Sequence, residues 1–226
     1  MLEYQNDKEL FEIIKKEMYT AVIGDIMDTM GLTHQFLPQA IRPLRDDMFL
    51  VGRAMTVLES DIDKIKDPAL VEGAFGKMLD ALDSLKEGEI YVCSGCSWDY
   101  AVIGEIMSTR AVYCGSTGAV LNGFLRDTNG ILALDYPVFS AGCYAQDQAP
   151  RGKVIDYRVP IEFGDVTIHP GDLMVGDIDG VLVVPQDKEK EILEKAYEKA
   201  TGEKFVAKAI KAGMSAKEAF TKYGIM

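Results

Sequence analysis

Two short apolar runs, EIYVCSG (residues 89–95) and GAVLNG (118–123), flank AVIGEIMSTRAVYCG, a stretch of helical period. Both runs read as buried strands, and an intervening helix is the connection that sets two strands side by side in parallel. That β-α-β unit constrains everything else, because the loops leaving parallel strands gather at one carboxyl edge of the sheet.

The rest of the chain supplies layers for such a sheet. KELFEIIKKEM (8–18) places Leu10, Phe11, Ile13, Ile14 and Met18 at helical spacing, and TAVIGDIMDTMG is expected to form a second helix with Thr20 as N-cap and Gly31 as its stop. MFLVGRAMTVLES reads as a strand with a close backbone approach at Gly52, and PALVEGAFGKMLDALDSL as a helix. Beyond residue 136, YPVFSAG and GKVIDYRVPIEFGDVTIHPGDLMVGDIDGVLVVP carry turn residues every few positions and read as a run of strands, with HPGD and DIDG as turns. A long charged amphipathic helix is expected over 187–212, with SAKEAFTKYG as a last turn or two. The order of helices, mixed α/β, strands and helix predicts one α/β sandwich spanning 1–226 without an internal linker.

Composition narrows the function classes. Net charge is −12, from 24 Lys+Arg against 36 Asp+Glu, which repels phosphate backbones and anionic lipid, so neither nucleic acid nor membrane is an expected partner. No apolar run reaches 18 residues and the N-terminus lacks a signal-peptide pattern, so a soluble, cytoplasmic protein is expected. Four cysteines, Cys93, Cys96, Cys114 and Cys143, do not suggest a disulfide framework. CSGC has metal-ligand spacing but no second pair nearby, and packing is the preferred reading. His34 and His169 stand far apart in sequence, which gives little support to a histidine metal site or a Ser-His-Asp triad; Asp25 and Asp28 read as solvated helix residues.

Chemistry concentrates where the β-α-β unit ends. Gly104 and Glu105 lie early in the helix after the first strand, and Arg126 and Asp127 follow the second, so both pairs are expected at one sheet edge. A helix N-terminus offers unpaired amides, and Gly104 lets an anion approach those around Glu105, Ile106 and Met107. Arg126 can add a bidentate fork to the same carboxylate, and Asp127 can hold a hard divalent cation that keeps most of its waters. An Arg-Asp pair on a loop is ordinarily just solvated, and residue types alone leave both readings open.

The stretch GEIMSTRAVYCGSTGAVLNGFLRD resembles the signature of the RraA-like family, which contains metal-dependent pyruvate aldolases and the regulator of ribonuclease E. An acidic residue, 20 intervening positions and then Arg-Asp recur here as Glu105, Arg126 and Asp127, and the likeness extends through GDIMDTMG, LVGRAMT and PGDLMVGDIDGVLVVP. The segment AGCYAQDQAPRGKV is longer and more polar than the family leads one to expect, and Asn122 stands where members often have aspartate.

The resemblance implies a layered β/β/α swivelling-type fold, assembled as homotrimers or homohexamers with sites between subunits. Glu203 on the C-terminal helix becomes a candidate to reach a neighbouring site. It further implies a lyase acting on a small 2-oxo acid, a 4-hydroxy-2-oxo dicarboxylate cleaved to pyruvate or oxaloacetate decarboxylated. Asp127 would hold Mg²⁺ or Mn²⁺, Arg126 the oxygen that gains charge, and the amides of Gly104 to Met107 the carboxylate. Glu105 would position water for proton transfer. A non-catalytic regulator of a ribonuclease or other partner is the alternative, although that branch lacks the acidic residue and the metal-binding aspartate.

Overall fold

A computed structural model describes residues 2–225. In chain order the helices are α1 (Asp7–Glu17), α2 (Thr20–Thr29), α3 (Pro68–Glu72), α4 (Met78–Asp83), α5 (Glu105–Tyr113), α6 (Thr128–Ala133), α7 (Glu189–Lys211) and α8 (Ala216–Tyr223). The strands are β1 (Arg42–Pro43), β2 (Leu50–Asp61), β3 (Glu89–Ser94), β4 (Ala101–Ile103), β5 (Gly118–Leu121), β6 (Phe124–Leu125), β7 (Val138–Ser140), β8 (Gly142–Cys143), β9 (Gly152–Tyr157), β10 (Ile161–Phe163), β11 (Val166–Ile168), β12 (Leu173–Asp177) and β13 (Gly180–Val184). No described helix is long and apolar enough to cross a membrane.

Among the described residues, the main sheet runs β1-β7-β5-β3-β2-β12-β13, with β9 also paired to β2. Its middle is the long strand β2, which lies parallel to β3 along one edge and antiparallel to β12 and then β9 along the other. Gly52 is the close approach expected there, since a Cβ would sit 2.7 Å from the Gly88 carbonyl. β3, β5 and β7 are parallel, as the β-α-β reading requires.

A second sheet, β4-β6-β8, is entirely parallel and is where the sequence expectation fails. The run from Ala101 was expected to be helical throughout, but Ala101, Val102 and Ile103 are extended and the helix starts at Glu105. Each of β3, β5 and β7 breaks and continues as β4, β6 and β8, so the small sheet inherits the parallel order of the large one. Glycines mark the breaks: Gly95, at φ +109°, and Gly142, at φ +136°, take conformations open mainly to glycine.

Local chemistry explains the other departures. Thr20 is not the N-cap of α2 but its first helical residue, because its N–H and hydroxyl donate to the Asp177 carboxylate at 2.9 and 2.7 Å. The stretch from Pro68 divides into α3 and α4, since Gly76 adopts φ +59° against β9 and Lys77 N–H donates to the Val154 carbonyl at 2.8 Å. The expected long C-terminal helix is α7, and Ser215 caps α8 through a reciprocal box with Glu218.

Three apolar clusters fill the layers. One joins Met55, Tyr91 and Leu121 of the main sheet to α4 and to the small sheet. A second seats α1, α2 and α7 on β12 and β13. The third lies under the β10-β11 hairpin, around Phe139 and Phe163. The whole is a layered α/β fold of the expected class.

Several polar groups are buried with these clusters, and among the described residues Glu59 is the most enclosed carboxylate. Glu59 follows the irregularity in the β2–β9 pairing, is 1% exposed, and accepts from Cys93 Sγ at 3.5 Å. Among the described residues its Oε1 has no partner, and neither does the buried Gln148 Nε2. Burial pushes the Glu59 carboxyl up to about 8. The unfolded chain releases this proton in the ordinary carboxylate range and the folded chain keeps it to about 8, so stability falls as pH rises between those values. Glu59→Gln, a neutral isostere, should therefore match the native protein near pH 5 and exceed it at pH 8 by on the order of 3–4 kcal/mol in urea titrations. A difference independent of pH would contradict this assignment.

Candidate active site

The loops leaving β4, β6 and β8 converge. Ile103 leads into Gly104 and α5, Leu125 into Arg126, Asp127 and α6, and Cys143 into the segment that contains Asp147 and Gln148. Ladder bonds fix their registry: Arg126 N–H donates to the Ile103 carbonyl at 3.0 Å, and Tyr144 N–H to the Leu125 carbonyl at 2.8 Å. The two pairs singled out in the sequence do share a carboxyl edge, but it is the edge of the small sheet rather than of β3 and β5.

Asp127 has left-handed backbone, φ 57° and ψ 38°, which aspartate tolerates better than most residues. It stands at the N-cap of α6 yet makes no side-chain cap bond there. Its carboxylate turns back instead, and Oδ2 accepts from Glu105 N–H at 3.3 Å, at the positive end of α5. A Cβ on Gly104 would lie 2.6 Å from that oxygen, so the residue before α5 must be glycine for the two helix starts to meet.

Arg126 is held between carboxylates. Nη1 is 3.2 Å from Asp147 Oδ1 and Nε is 3.8 Å from Asp127 Oδ2, with about a third of the side chain (36%) exposed. Beside these groups opens a cleft of about 480 Å³, lined by Gly104, Ile106, Met107, Arg126 and Asp127 together with Asp147 and an apolar wall from α4. Glu105 departs from this set: it gives its main-chain N–H to Asp127, while its carboxylate lies against Gly130 of α6 and does not line the cleft.

Asp147 and Gln148 escaped the sequence reading. They belong to AGCYAQDQAPRGKV, whose unexpected polarity was the available signal, and its distance in sequence hid its place beside Arg126.

Elsewhere, Cys93 and Cys96 lie at the end of β3, one bonded to Glu59 and the other 3.8 Å from the Asn122 carbonyl. His34 and His169 share a groove with Asp165, Asp172 and Asp187, and His169 occupies the expected turn, its carbonyl accepting from Asp172 N–H at 3.1 Å. No three His, Cys, Asp or Glu side chains among the described residues are placed to hold a metal between them. Asp25 pairs with Lys199. Glu203 accepts a hydrogen bond from Tyr19 of its own chain, and burial together with that carboxylate raises the phenol to about 12.

Gly104 is the residue that lets the Asp127 carboxylate reach α5. Its backbone, φ −134° and ψ −173°, suits any residue, so Gly104→Ala should cost only about 1 kcal/mol while displacing the Asp127 carboxylate. The Glu105 amide proton should move upfield in a two-dimensional NMR spectrum as its hydrogen bond is lost. An unmoved resonance would mean that the carboxylate is not positioned by that glycine.

The RraA-like family model (Aldolase/RraA) matches residues 20–183. A protein of Halalkalibacterium halodurans that bears the provisional name 4-hydroxy-4-methyl-2-oxoglutarate aldolase is 31% identical over 204 residues, 89% of each chain. An uncharacterized protein from Pseudomonas syringae, solved by crystallography, superposes with a TM-score of 0.80 at 29% identity, covering 96% of this chain and 99% of that one. Streptomyces coelicolor RraAS2, described as an unusual member of the RNase ES inhibitor RraA protein family, superposes with a TM-score of 0.76 at 22% identity, covering 90% and 98%, a likeness of fold. Family match, relatives and fold agree, and the chain belongs to the RraA-like family.

Proposed function

We propose that this protein is a lyase, a divalent-metal-dependent pyruvate aldolase that cleaves 4-hydroxy-2-oxo acids and decarboxylates oxaloacetate by the same enolate chemistry. The observation that carries the reading is the meeting of Arg126, the Asp127 carboxylate and the amide end of α5 at one edge of the small sheet. The name carried by the Halalkalibacterium relative supports it.

The residues fit a hard divalent cation. Asp127 offers one carboxylate whose Oδ1 makes no hydrogen bond among the described residues, and an ion such as Mg²⁺ that retains waters and shares its shell with substrate needs no larger protein cage. When bound there, Mg²⁺ or Mn²⁺ supplies Lewis-acid stabilisation of negative charge on the 2-oxo group.

The protein's own groups account for the remaining steps. The amides at the start of α5 bind the C1 carboxylate, and Arg126 holds the 2-oxo oxygen. Loss of the C4 hydroxyl proton to water in the cleft makes C4 a carbonyl as the C3–C4 bond breaks, while Glu105, whose carboxylate lies away from the cleft against Gly130, serves through the main-chain N–H that holds Asp127. The electron pair moves to the C2–C3 unit, and Arg126 stabilises the oxygen that gains the charge. Protonation at C3 then gives pyruvate.

We place this activity in one cytoplasmic domain spanning 1–226 and in a homotrimer or homohexamer, for which exposed Leu79, Ile106 and Tyr113 around α4 and α5 provide apolar surface to cover. A regulator of a ribonuclease is the other reading; it leaves the arrangement of Gly104, Arg126 and Asp127 without a task.

Pyruvate release from a 4-hydroxy-2-oxo acid should require added Mg²⁺ or Mn²⁺. Arg126→Ala should lower kcat by roughly 10²–10³ with little change in KM, since its contact strengthens as the bond breaks. Lysine should restore only part, lacking the planar fork. A variant that raises KM alone at unchanged kcat would make Arg126 a uniform clamp and remove the enolate-stabilising role.

A further inference from the structure

Resting on the aldolase reading, we propose that Glu59 is a positioning residue for the active site, acting from inside the fold through Gln148, and that its protonation state sets whether the Gln148 amide serves the cleft.

The two side chains converge where β2 runs against β9. Glu59 opposes Val154 and Asp61 opposes Gly152 in that pairing, and the Gln148 carbonyl accepts from the N–H groups of Arg151 and Gly152, the latter at 2.9 Å. A Cβ on Gly152 would lie 2.8 Å from Glu59 Oε1, so the turn anchored by Gln148 passes close beside the carboxyl group. Gln148 also lines the cleft and follows Asp147, the partner of Arg126. Glu59 and Gln148 are only 1% and 4% exposed, so the arrangement lies within one chain and does not depend on what a neighbouring subunit covers.

Two buried polar atoms are left over there. Glu59 Oε1 and Gln148 Nε2 have no hydrogen-bond partner among the described residues, and the Gln148 amide is one of the groups that act on the Glu59 carboxyl. The titratable groups around Glu59 are acids or neutral donors: Asp61 from β2, Tyr91 and Cys93 from β3, Cys96 from the turn beyond it, and Tyr100 just before β4. Asp61 is already engaged by Lys64, by Ser97 N–H and by the Tyr100 hydroxyl. The cations of the neighbouring segment are turned elsewhere, Lys153 Nζ to the Ala74 carbonyl at 2.7 Å and Arg151 Nη1 to the Asp147 carbonyl at 3.1 Å.

The proton on Glu59 is therefore decisive. A buried carboxylate without a cation draws on whatever donors it can reach, and hydrogen bonds to an ionised group are about twice as strong as those between neutral ones. Neutral Glu59 leaves the Gln148 amide to the cleft. Ionised Glu59 claims its N–H groups, and the turn that carries Asp147 beside Arg126 moves with it.

Pyruvate release measured against pH tests this. Because burial pushes Glu59 up to about 8, native kcat/KM should fall about tenfold by pH 9 through a single-proton limb while circular dichroism stays native. Glu59→Gln, fixed in the neutral form, should hold its own pH 7 value to pH 9. Gln148→Met, of similar length but without N–H groups, should be slower and show no such limb. In protein isotopically labelled only at its glutamine side chains, the amide signal missing from Gln148→Met should shift with the same midpoint in the native chain and stay fixed in Glu59→Gln.

A limb that persists in Glu59→Gln, or a Gln148 signal that ignores pH, would overturn the proposal while leaving the aldolase reading intact. The predicted Gln148 titration without pyruvate release at any pH would uphold the link between Glu59 and Gln148 and sink the aldolase reading.

Discussion

The ladder that seats Leu125 between Ile103 and Cys143 is the constraint on which the candidate site depends. Because β4, β6 and β8 are parallel, each releases its chain at the same edge, and the residue after each strand enters one shared space. Arg126 is tied to this ladder through its own main-chain bond to Ile103, so its side chain starts from a fixed point. A shift of one residue in β6 would turn Arg126 to the opposite face and separate it from the amides of α5. The larger sheet supports this arrangement, since the small strands continue β3, β5 and β7, of which β3 pairs with the buried length of β2, β5 with β3 and β7 with β5.

Close approach is the second requirement, and it is met by omitting atoms. Without a side chain at Gly104, the Asp127 carboxylate reaches the Glu105 amide, and without one at Gly130, the Glu105 side chain lies along α6. Asp127 bears backbone strain of order 1–2 kcal/mol in its left-handed conformation, offset by the helix it begins and by the amide it bonds.

Much of this was legible in the sequence, for reasons that differ by residue. The parallel pairing of β3 and β5 follows from two apolar runs separated by a helix, and Gly52 betrays itself as a glycine inside a β-branched strand. Glu105, Arg126 and Asp127 stand out through their spacing, which the RraA-like resemblance shares. β4 was hidden because three apolar residues, Ala101 to Ile103, fit the start of a helix as well as a short strand, and only pairing with β6 decides between them. Thr20 carries the chemistry of a cap but is drawn instead to Asp177, 157 positions away. Asp147 completes the ionic surroundings of Arg126 from a segment whose local sequence says nothing about its destination. The apolar wall from α4 was likewise invisible, because buried leucines and methionines look alike whether they face a core or a cleft.

The central claim is that Asp127 anchors a divalent cation in the cleft that also receives a 2-oxo acid. Mn²⁺ binding followed by water-proton relaxation, with and without pyruvate, addresses it without depending on turnover. Native protein should bind Mn²⁺ more tightly when pyruvate is present, and Asp127→Asn should lose both the binding and its response to pyruvate while unfolding at a similar urea concentration. Unchanged, pyruvate-responsive Mn²⁺ binding in Asp127→Asn would place the cation elsewhere and contradict the account.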